Sequence, residues 1–355
     1  MSWWVYILRC GDGTLYTGTA ADVERRLAAH RRGRGAKYTR GRGPLAVVYR
    51  EACPDQGAAL RREAAIKKYR RAEKEALISD YAERRSRMKK AAFIGTGNMG
   101  APLIQAACRA VGAEQVVVAN RTRAKAEALA AELGCAVAQD NRAAAAQAEY
   151  IVLCVKPQMM EELLAPLRFT LAERPSRFVL CSMAAGLSIA RIQEMAGSDC
   201  PVIRIMPNTP ASVGAGMIQY CTSNVTAEEE AEFLKLMAPA GRLDAVPESL
   251  IDAASCVSGC GPAWVYQFIE ALADGGVACG LPRAKAQEYA AQMVLGSAKL
   301  VLESGQHPGA LKDAVCSPGG STIQGVRVLE EKGLRGAVMD AVIASYNKTK
   351  EMGKG

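Results

Sequence analysis

The sequence predicts an α/β protein made of three successive units. These are a small α/β domain over residues 1–87, an open α/β domain of the dinucleotide-binding type over 88–245, and an all-helical domain over 246–355. Three observations lead to this division. The stretch AFIGTGNMG, residues 92–100, reads as a buried strand, a glycine turn and the start of a helix. The basic excess lies entirely ahead of it: residues 1–87 hold 20 Lys+Arg against 10 Asp+Glu, and the rest of the chain holds 25 against 26. Beyond about residue 245 the strand signals give way to long alanine-rich helical patterns.

At 355 residues the chain exceeds one ordinary domain, and its 50% hydrophobic content supports real cores. No stretch approaches the run of about 18 apolar residues that a membrane span needs, so no membrane partner is expected. The N-terminus MSWWVYILRC lacks the pattern of a secretory signal. Twelve cysteines are scattered singly and only two histidines, His30 and His307, are present. That combination argues against structural zinc and a disulfide framework, and for a reducing, cytoplasmic setting. The basic first quarter suggests a polyanion partner, DNA or RNA, for that segment alone; a merely solvated basic face is the alternative.

In the first unit, WWVYILR (3–9) and TLYTGT (14–19) flank the turn GDG and form a hairpin. Asp22 caps a helix, DVERRLAAH, that turns Val23, Leu27 and His30 to one side. A basic glycine-rich loop, a third strand LAVVYRE and two further helical stretches complete a three-stranded α/β domain. Its chemistry candidates are Tyr6, Tyr16, Arg26, His30 and Glu63. Phosphodiester cleavage needs a base, a cation facing the phosphate and a carboxylate-held divalent ion, and these residue types supply all three. Singly, each has a plainer reading: tyrosines in a half-buried sheet, an arginine on a wet helix face, and Glu63 in an i,i+4 pair with Lys67.

Together VYI (5–7), YTG (16–18), ERRLAAH, GAKYTRGRGP and ALRREAAIKK resemble the GIY-YIG endonuclease superfamily over roughly residues 2–80. The resemblance implies Tyr16 as leading general base with Tyr6 beside it, Arg26 on the phosphate, and Glu63 holding Mg²⁺ or Mn²⁺. Val5 stands where the first motif has glycine. Cleavage, or binding without cleavage, of nucleic acid is the implied activity.

In the second unit GTGNMG fits G-x-G-x-x-G at Gly95, Gly97 and Gly100, between a strand and a helix. Gly95 serves the tight turn, Gly97 the approach of a pyrophosphate, and Gly100 close helix–strand packing. The next strand, EQVVVAN, ends in Asn120, Arg121 and Thr122 rather than in an acidic residue. An amide, a hydroxyl and a guanidinium suit a 2′-phosphate, which favours NADPH, with NADH as the alternative. Further strand–helix units end in LCVKP, in CSMAAG and in the polar turn MPNTP; Lys156 sits where ligands collect. The C-terminal helices are apolar on wide faces, which suggests a homo-oligomer. SPGGST, residues 317–322, places two glycines and two hydroxyls at a helix start, a nest for a carboxylate or phosphate.

The motifs FIGTGNMG, VKP, MPNTP, SGCGPAW, ALADGGV, GLPR, QHPGALKD and SPGGSTI together resemble pyrroline-5-carboxylate reductases over residues 88–352. The resemblance implies NAD(P)H-dependent reduction of L-1-pyrroline-5-carboxylate to L-proline. It assigns the cofactor to Gly95, Thr96, Gly97, Asn98, Met99, Gly100, Asn120, Arg121, Thr122, Asn141, Val155, Lys156, Pro157, Met183, Ala184 and Ala185. It assigns the substrate to Val315, Gly320, Ser321 and Thr322, with Glu248 nearby and the Thr322 hydroxyl at the ring nitrogen. Cys260, Trp264 and Ala314 depart from the usual Ser, Tyr and Asn. The competing expectation is a nucleic-acid-processing protein whose reductase-like half serves assembly.

Overall fold

The computed structural model describes residues 3–86, 88–174 and 176–352, and the chain divides into two compact units, the first ending at Ile251 and the second beginning at Asp252. The first unit holds two separate sheets.

In the smaller sheet, β1 (Trp3–Arg9) lies between β2 (Leu15–Ala20) and β3 (Ala46–Cys53), antiparallel to both. The β1–β2 turn closes through Gly13 at φ 76°, and the Asp12 carboxylate accepts the Thr14 N–H at 3.0 Å. Helix α1 (Val23–Arg31) starts where Asp22 accepts the Arg25 N–H, and α2 (Gln56–Lys68) where Asp55 accepts that of Ala58. Helix α3 (Arg71–Ser86) follows, and its Glu75 receives a bidentate pair from Arg9 at 3.0 and 2.6 Å. Alternation along β1 divides two cores. Tyr6, Leu8 and Cys10 pack with Val23 and Leu27, whereas Val5 and Ile7 pack with Tyr49, Ile66 and Ile78. Val5 is therefore a core residue on the face opposite Tyr6, which is why a side chain is tolerated where the motif has glycine.

The larger sheet is assembled from β4 (Lys89–Ile94), β5 (Val116–Ala119), β6 (Ala136–Val137), β7 (Ala148–Leu153), β8 (Val179–Ser182) and β9 (Val202–Met206), all parallel. Their spatial order is β6-β5-β4-β7-β8-β9. Neighbouring residues on these strands enter opposite cores. Ala92, Ile94, Ile151 and Leu153 face α6 (Asn141–Ala146), α7 (Met160–Leu164), α8 (Leu167–Ala172) and α9 (Ile189–Ala196). Phe93, Val118, Tyr150 and Val152 face α4 (Gly100–Val111), α5 (Arg123–Leu133) and α10 (Ala227–Met237). Burial on both faces accounts for the continuous apolar runs read in the sequence.

Two further strands were not anticipated: β10 (Gly216–Ser223), antiparallel to β9, and β11 (Gly241–Ala245), parallel to β10. The MPNTP turn causes the reversal. After β9 the chain makes a single 3₁₀ stretch over Thr209–Val213, turns at Gly214 with φ 73°, and returns with the Met217 N–H on the Asn208 side chain at 2.9 Å.

Helix α11 (Glu248–Ser258) crosses the boundary between the units, so the change to helices begins before the boundary itself. The second unit continues with α12 (Gly261–Ala278), α13 (Arg283–Ser304), α14 (Pro308–Ala314), α15 (Ser321–Glu331) and α16 (Leu334–Met352). Among the described residues of α12–α16 the buried side chains are Ala273, Ala286 and Ala290, while Leu302 is 72% exposed and Met339 61%. No helix of the described residues is long and apolar enough to cross a membrane.

Gly18 on β2 backs the Tyr6 ring: a Cβ there would lie 2.7 Å from the Tyr6 hydroxyl and 2.9 Å from Tyr16 Cε1. Gly18→Ala is therefore expected to destabilise the smaller sheet by about 1–3 kcal/mol. The check is thermal unfolding followed by Trp fluorescence in a Trp264→Phe background, where Trp3 and Trp4 alone report; an unchanged transition contradicts it.

Candidate active sites

Strand β4 is where the larger sheet changes direction, with β5 on one side and β7 on the other. Ligands in open α/β sheets bind at the crevice such a switch leaves beyond the carboxyl ends of the strands. The ends are clamped together there. The Gly95 N–H donates to the Ala119 carbonyl and the Cys154 N–H to that of Ile94, both at 2.8 Å. Gly95 has φ 111°, and a Cβ on it would stand 2.4 Å from the Cys154 carbonyl oxygen. A Cβ on Gly100 would meet the Gly95 carbonyl oxygen at 2.5 Å. Both glycines are thus required by the protein itself. Gly97 is not: nothing lies within 4 Å of its missing Cβ. Its backbone faces open space, as a cradle for a ligand requires. The Thr96 hydroxyl in the same loop is buried and has no hydrogen-bond partner, which also fits a bound group.

Asn120 links the glycine loop to the next strand end, accepting the Thr96 N–H at 3.2 Å and donating to the Thr122 carbonyl at 3.0 Å. Thr122 occupies the N-cap of α5 without making a capping bond, and Arg121 is exposed. Arg123 is paired with Glu127 one turn on, at 2.7 Å. Val155, Lys156 and Pro157 follow the end of β7, with Lys156 exposed, and Met183, Ala184 and Ala185 follow β8. Asn141 opens α6 behind its cap, Asp140. Burial pushes the Cys154 thiol up to about 12, so this residue behind the loop serves as a packed, protonated thiol.

Glu248 is engaged within the first unit. Its carboxylate accepts the Ile189 N–H at the start of α9 at 2.6 Å and stands 3.5 Å from Arg204, whose side chain is only 3% exposed. Glu248 and Ile189 line a cavity of about 630 Å³ bounded by α9, β10 and the segment Ala245–Glu248. The other expected substrate residues belong to the second unit. There Gly319 at φ 70° and extended Gly320 lead into α15, and a Cβ on Gly320 would lie 2.4 Å from the Ser317 hydroxyl. Gly320 is the N-cap and offers no side-chain acceptor, so the first N–H groups of an 11-residue helix stay available beside the exposed Ser321 and Thr322. Val315, 65% exposed, ends α14 just before it.

In the smaller sheet the candidates converge. The buried Tyr6 hydroxyl lies 3.0 Å from His30 Nε2, and the Tyr16 ring, partly exposed, packs 5.1 Å from the imidazole between centroids. Burial first, then the neighbouring Tyr16, raises the Tyr6 pKa to about 12; the nearby Arg26 guanidinium opposes the shift. Burial, and secondarily Arg26, lowers that of His30, which is held neutral. Glu63 forms the i,i+4 pair with Lys67 at 2.7 Å, with its own side chain 14% exposed. Sequence reasoning missed three neighbours in the glycine-rich loop: Thr39, on His30 Nδ1 at 2.7 Å; Tyr38, stacked on Tyr16; and Arg42, 4.5 Å above the Tyr38 ring. No periodicity marks residues in such a loop. Gly35, against which the ring packs, is the one available signal.

Residues 2–76 match the family model described as GIY-YIG catalytic domain. Residues 90–186 match NADP oxidoreductase coenzyme F420-dependent, and residues 248–352 match pyrroline-5-carboxylate reductase dimerisation. The pyrroline-5-carboxylate reductase of Escherichia coli (strain K12) is 42% identical over 269 residues, covering 75% of this chain and 99% of that protein. The chain belongs to the pyrroline-5-carboxylate reductase family. That of Synechocystis is 44% identical over 242 residues, 68% of this chain and 89% of the relative. Among solved structures, the Plasmodium falciparum pyrroline carboxylate reductase with NADP bound superposes with a TM-score of 0.68 at 32% identity, covering 75% of this chain and 99% of that one. The quarter of the chain outside these reductase alignments contains the GIY-YIG match.

Within the reductase portion, Glu248→Gln removes the charge facing buried Arg204 but keeps an oxygen for Ile189. Because Glu248 is 37% exposed, the expected loss of stability is modest, about 1–2 kcal/mol. A melting temperature equal to that of the parent protein would show that the ion pair contributes nothing.

Proposed function

We propose that residues 88–352 reduce L-1-pyrroline-5-carboxylate to L-proline with NADPH. The carrying observation is the glycine loop at the switch point, where Gly97 faces open space and the Thr96 hydroxyl is buried without a partner. Family membership and the nest at the head of α15 supply the substrate side. When bound, NADPH provides the hydride for the imine carbon. The chain's own work is orientation and electrostatics. Backbone amides of Gly97, Asn98, Met99 and Gly100 receive the pyrophosphate at the start of α4, while Gly95 and Thr96, whose N–H groups are held by Ala119 and Asn120, shape the loop and bring the Thr96 hydroxyl to it. Asn120, Arg121 and the uncapped Thr122 hydroxyl receive the 2′-phosphate. Asn141, Val155, Lys156, Pro157, Met183, Ala184 and Ala185 line the remaining crevice.

Val315, Gly320 and Ser321 hold the substrate carboxylate, and Thr322 offers a hydroxyl to the ring nitrogen. A protonated iminium accepts hydride better than a neutral imine, so a group that keeps a proton at that nitrogen assists the reaction. For Glu248 the contacts with Ile189 and Arg204 favour a positioning task over direct substrate contact. The apolar exposure of α12–α16 supports a homo-oligomer in which a second copy covers those faces.

The test is consumption of NADPH by the full chain on addition of the imine, with NADH in parallel. Turnover with a higher kcat/KM for NADPH is expected. A folded sample without turnover overturns the reaction, and a preference for NADH overturns the cofactor assignment. Thr322→Ala should lower kcat/KM for the imine on the order of tenfold or more while leaving NADPH affinity unchanged. A wild-type kcat/KM would remove Thr322 from the site.

A second activity, nucleic-acid cleavage by the smaller sheet, is favoured by the convergence of Tyr6, Tyr16, Arg26 and His30. Tyr16 is the accessible phenol and the leading base, Arg26 faces the phosphate, and Glu63 offers a carboxylate to Mg²⁺ or Mn²⁺ in exchange for its Lys67 partner. Among the described residues no group of three metal-ligating side chains occurs, so phosphate oxygens and water would complete such a site. Branched or single-stranded DNA should be cut by the full chain with Mn²⁺ and spared by Glu63→Ala. Equal cutting by both proteins, or none, removes the nuclease reading; retention of DNA without cutting leaves a binding domain.

A further inference from the structure

The polar side chains behind Tyr16 form one continuous chain whose two ends differ in kind. At one end is the Tyr6 hydroxyl, with the Arg26 guanidinium, a cation that can only donate, near enough to favour the phenolate. At the other is the Ala36 carbonyl, which can only accept, and the Thr39 hydroxyl donates to it at 2.9 Å. Between these ends, Tyr6 and His30 are joined at 3.0 Å, and His30 and Thr39 at 2.7 Å. Tyr6, His30 and Thr39 are 1%, 2% and 2% exposed, so water does not share their hydrogen bonds.

We infer that Thr39 is a positioning residue that fixes the His30 tautomer, with the proton on Nδ1 and the Nε2 lone pair turned to the Tyr6 hydroxyl. Because the Thr39 proton is spent on Ala36, its oxygen takes the Nδ1 proton. Nε2 is then an acceptor, and the Tyr6 O–H points at it. Every link runs the same way, from Tyr6 through His30 and Thr39 to Ala36, and a neutral imidazole is required in the middle. The loop is built for this contact. Thr39 closes a short 3₁₀ turn, Lys37–Thr39, and a Cβ on Gly35 would lie 2.3 Å from His30 Nδ1, so only glycine lets the loop fold over the ring.

The consequence for catalysis rests on the nuclease reading above: Thr39 acts through His30 and Tyr6 to orient the phenol pair beside Arg26. The tautomer itself does not depend on that reading. With two histidines in the chain, His307→Asn leaves a single imidazole, and asparagine retains a side-chain oxygen to cap α14 in place of His307. In the full-length protein labelled with ¹⁵N-histidine, correlation spectra should show a protonated Nδ1 and an unprotonated Nε2 for His30. Thr39→Val, which keeps the shape and removes the hydroxyl, should move the proton to Nε2 or give a mixture. Thr39→Ser should restore the parent pattern. A proton on Nε2 in the parent protein, or a Thr39→Val spectrum identical to it, overturns the inference; the parent measurement decides even if Thr39→Val does not fold. DNA cutting, where present, should fall on the order of tenfold in Thr39→Val and recover in Thr39→Ser. An absence of cutting in all three proteins fails the nuclease reading and leaves the tautomer result intact.

Discussion

The reductase portion depends on the junction at Gly95, where the ends of β5, β4 and β7 are tied by the bonds from Gly95 to Ala119 and from Cys154 to Ile94. A parallel sheet buried on both faces exposes functional backbone only beyond its strand ends, and the crevice is deepest where the chain reverses its direction of winding. Gly95 lets the chain turn away within one residue of the ladder, and Gly100 lets α4 begin against the same carbonyl that the turn leaves behind. The helix start is thereby brought onto the crevice, and with it the amides that attract an anion. Gly97 belongs to another category. The protein makes no demand for glycine there, so the demand comes from what the loop surrounds.

The helical unit poses the opposite problem. Its helices are long, up to the 22 residues of α13, yet beyond α11 they bury only three alanine side chains among the described residues. Isolated helices in water are marginal, and their stability in proteins comes from packing an apolar face. Exposed Leu295, Leu302, Met339 and Ile343 must therefore be covered by something of matching character. A second copy offers complementary apolar faces at no further cost in sequence. The uncapped start of α15, with Gly320 at its N-cap, lies in this same unit.

How much of this could be read in advance varied with the kind of feature. Capped helices, apolar parallel strands and glycine-dependent turns were legible because each rests on local chemistry: Asp22 before α1, the run before Gly95, the two glycines before Ser321. Strands β10 and β11 were not, since they depend on a reversal after Asn208 that only tertiary contacts reveal. The contacts of Glu248 with a helix start and a buried arginine were not legible either, because Ile189 and Arg204 come from distant parts of the chain. Thr39 escaped altogether. A hydroxyl in a glycine-rich loop has no period and no cap position to betray it, and its importance comes from the imidazole nine residues earlier.

The small sheet shows how a buried polar cluster acquires direction. Three side chains capable of both donating and accepting would, left alone, adopt several proton arrangements of similar energy. Anchoring one end on a backbone carbonyl removes that freedom, because a carbonyl can only accept and the direction it sets passes from Thr39 through His30 to Tyr6. Low polarity around the cluster then raises the penalty for any mismatch. The same burial keeps the Tyr6 phenol protonated and His30 uncharged, so both remain in the forms the chain requires. Gly18 and Gly35 make this possible from either side, one clearing space for the tyrosine rings and the other for the imidazole. Gly18 in a strand and Gly35 in a loop are therefore the steric condition for the whole arrangement, as Gly95 and Gly100 are for the crevice in the larger sheet.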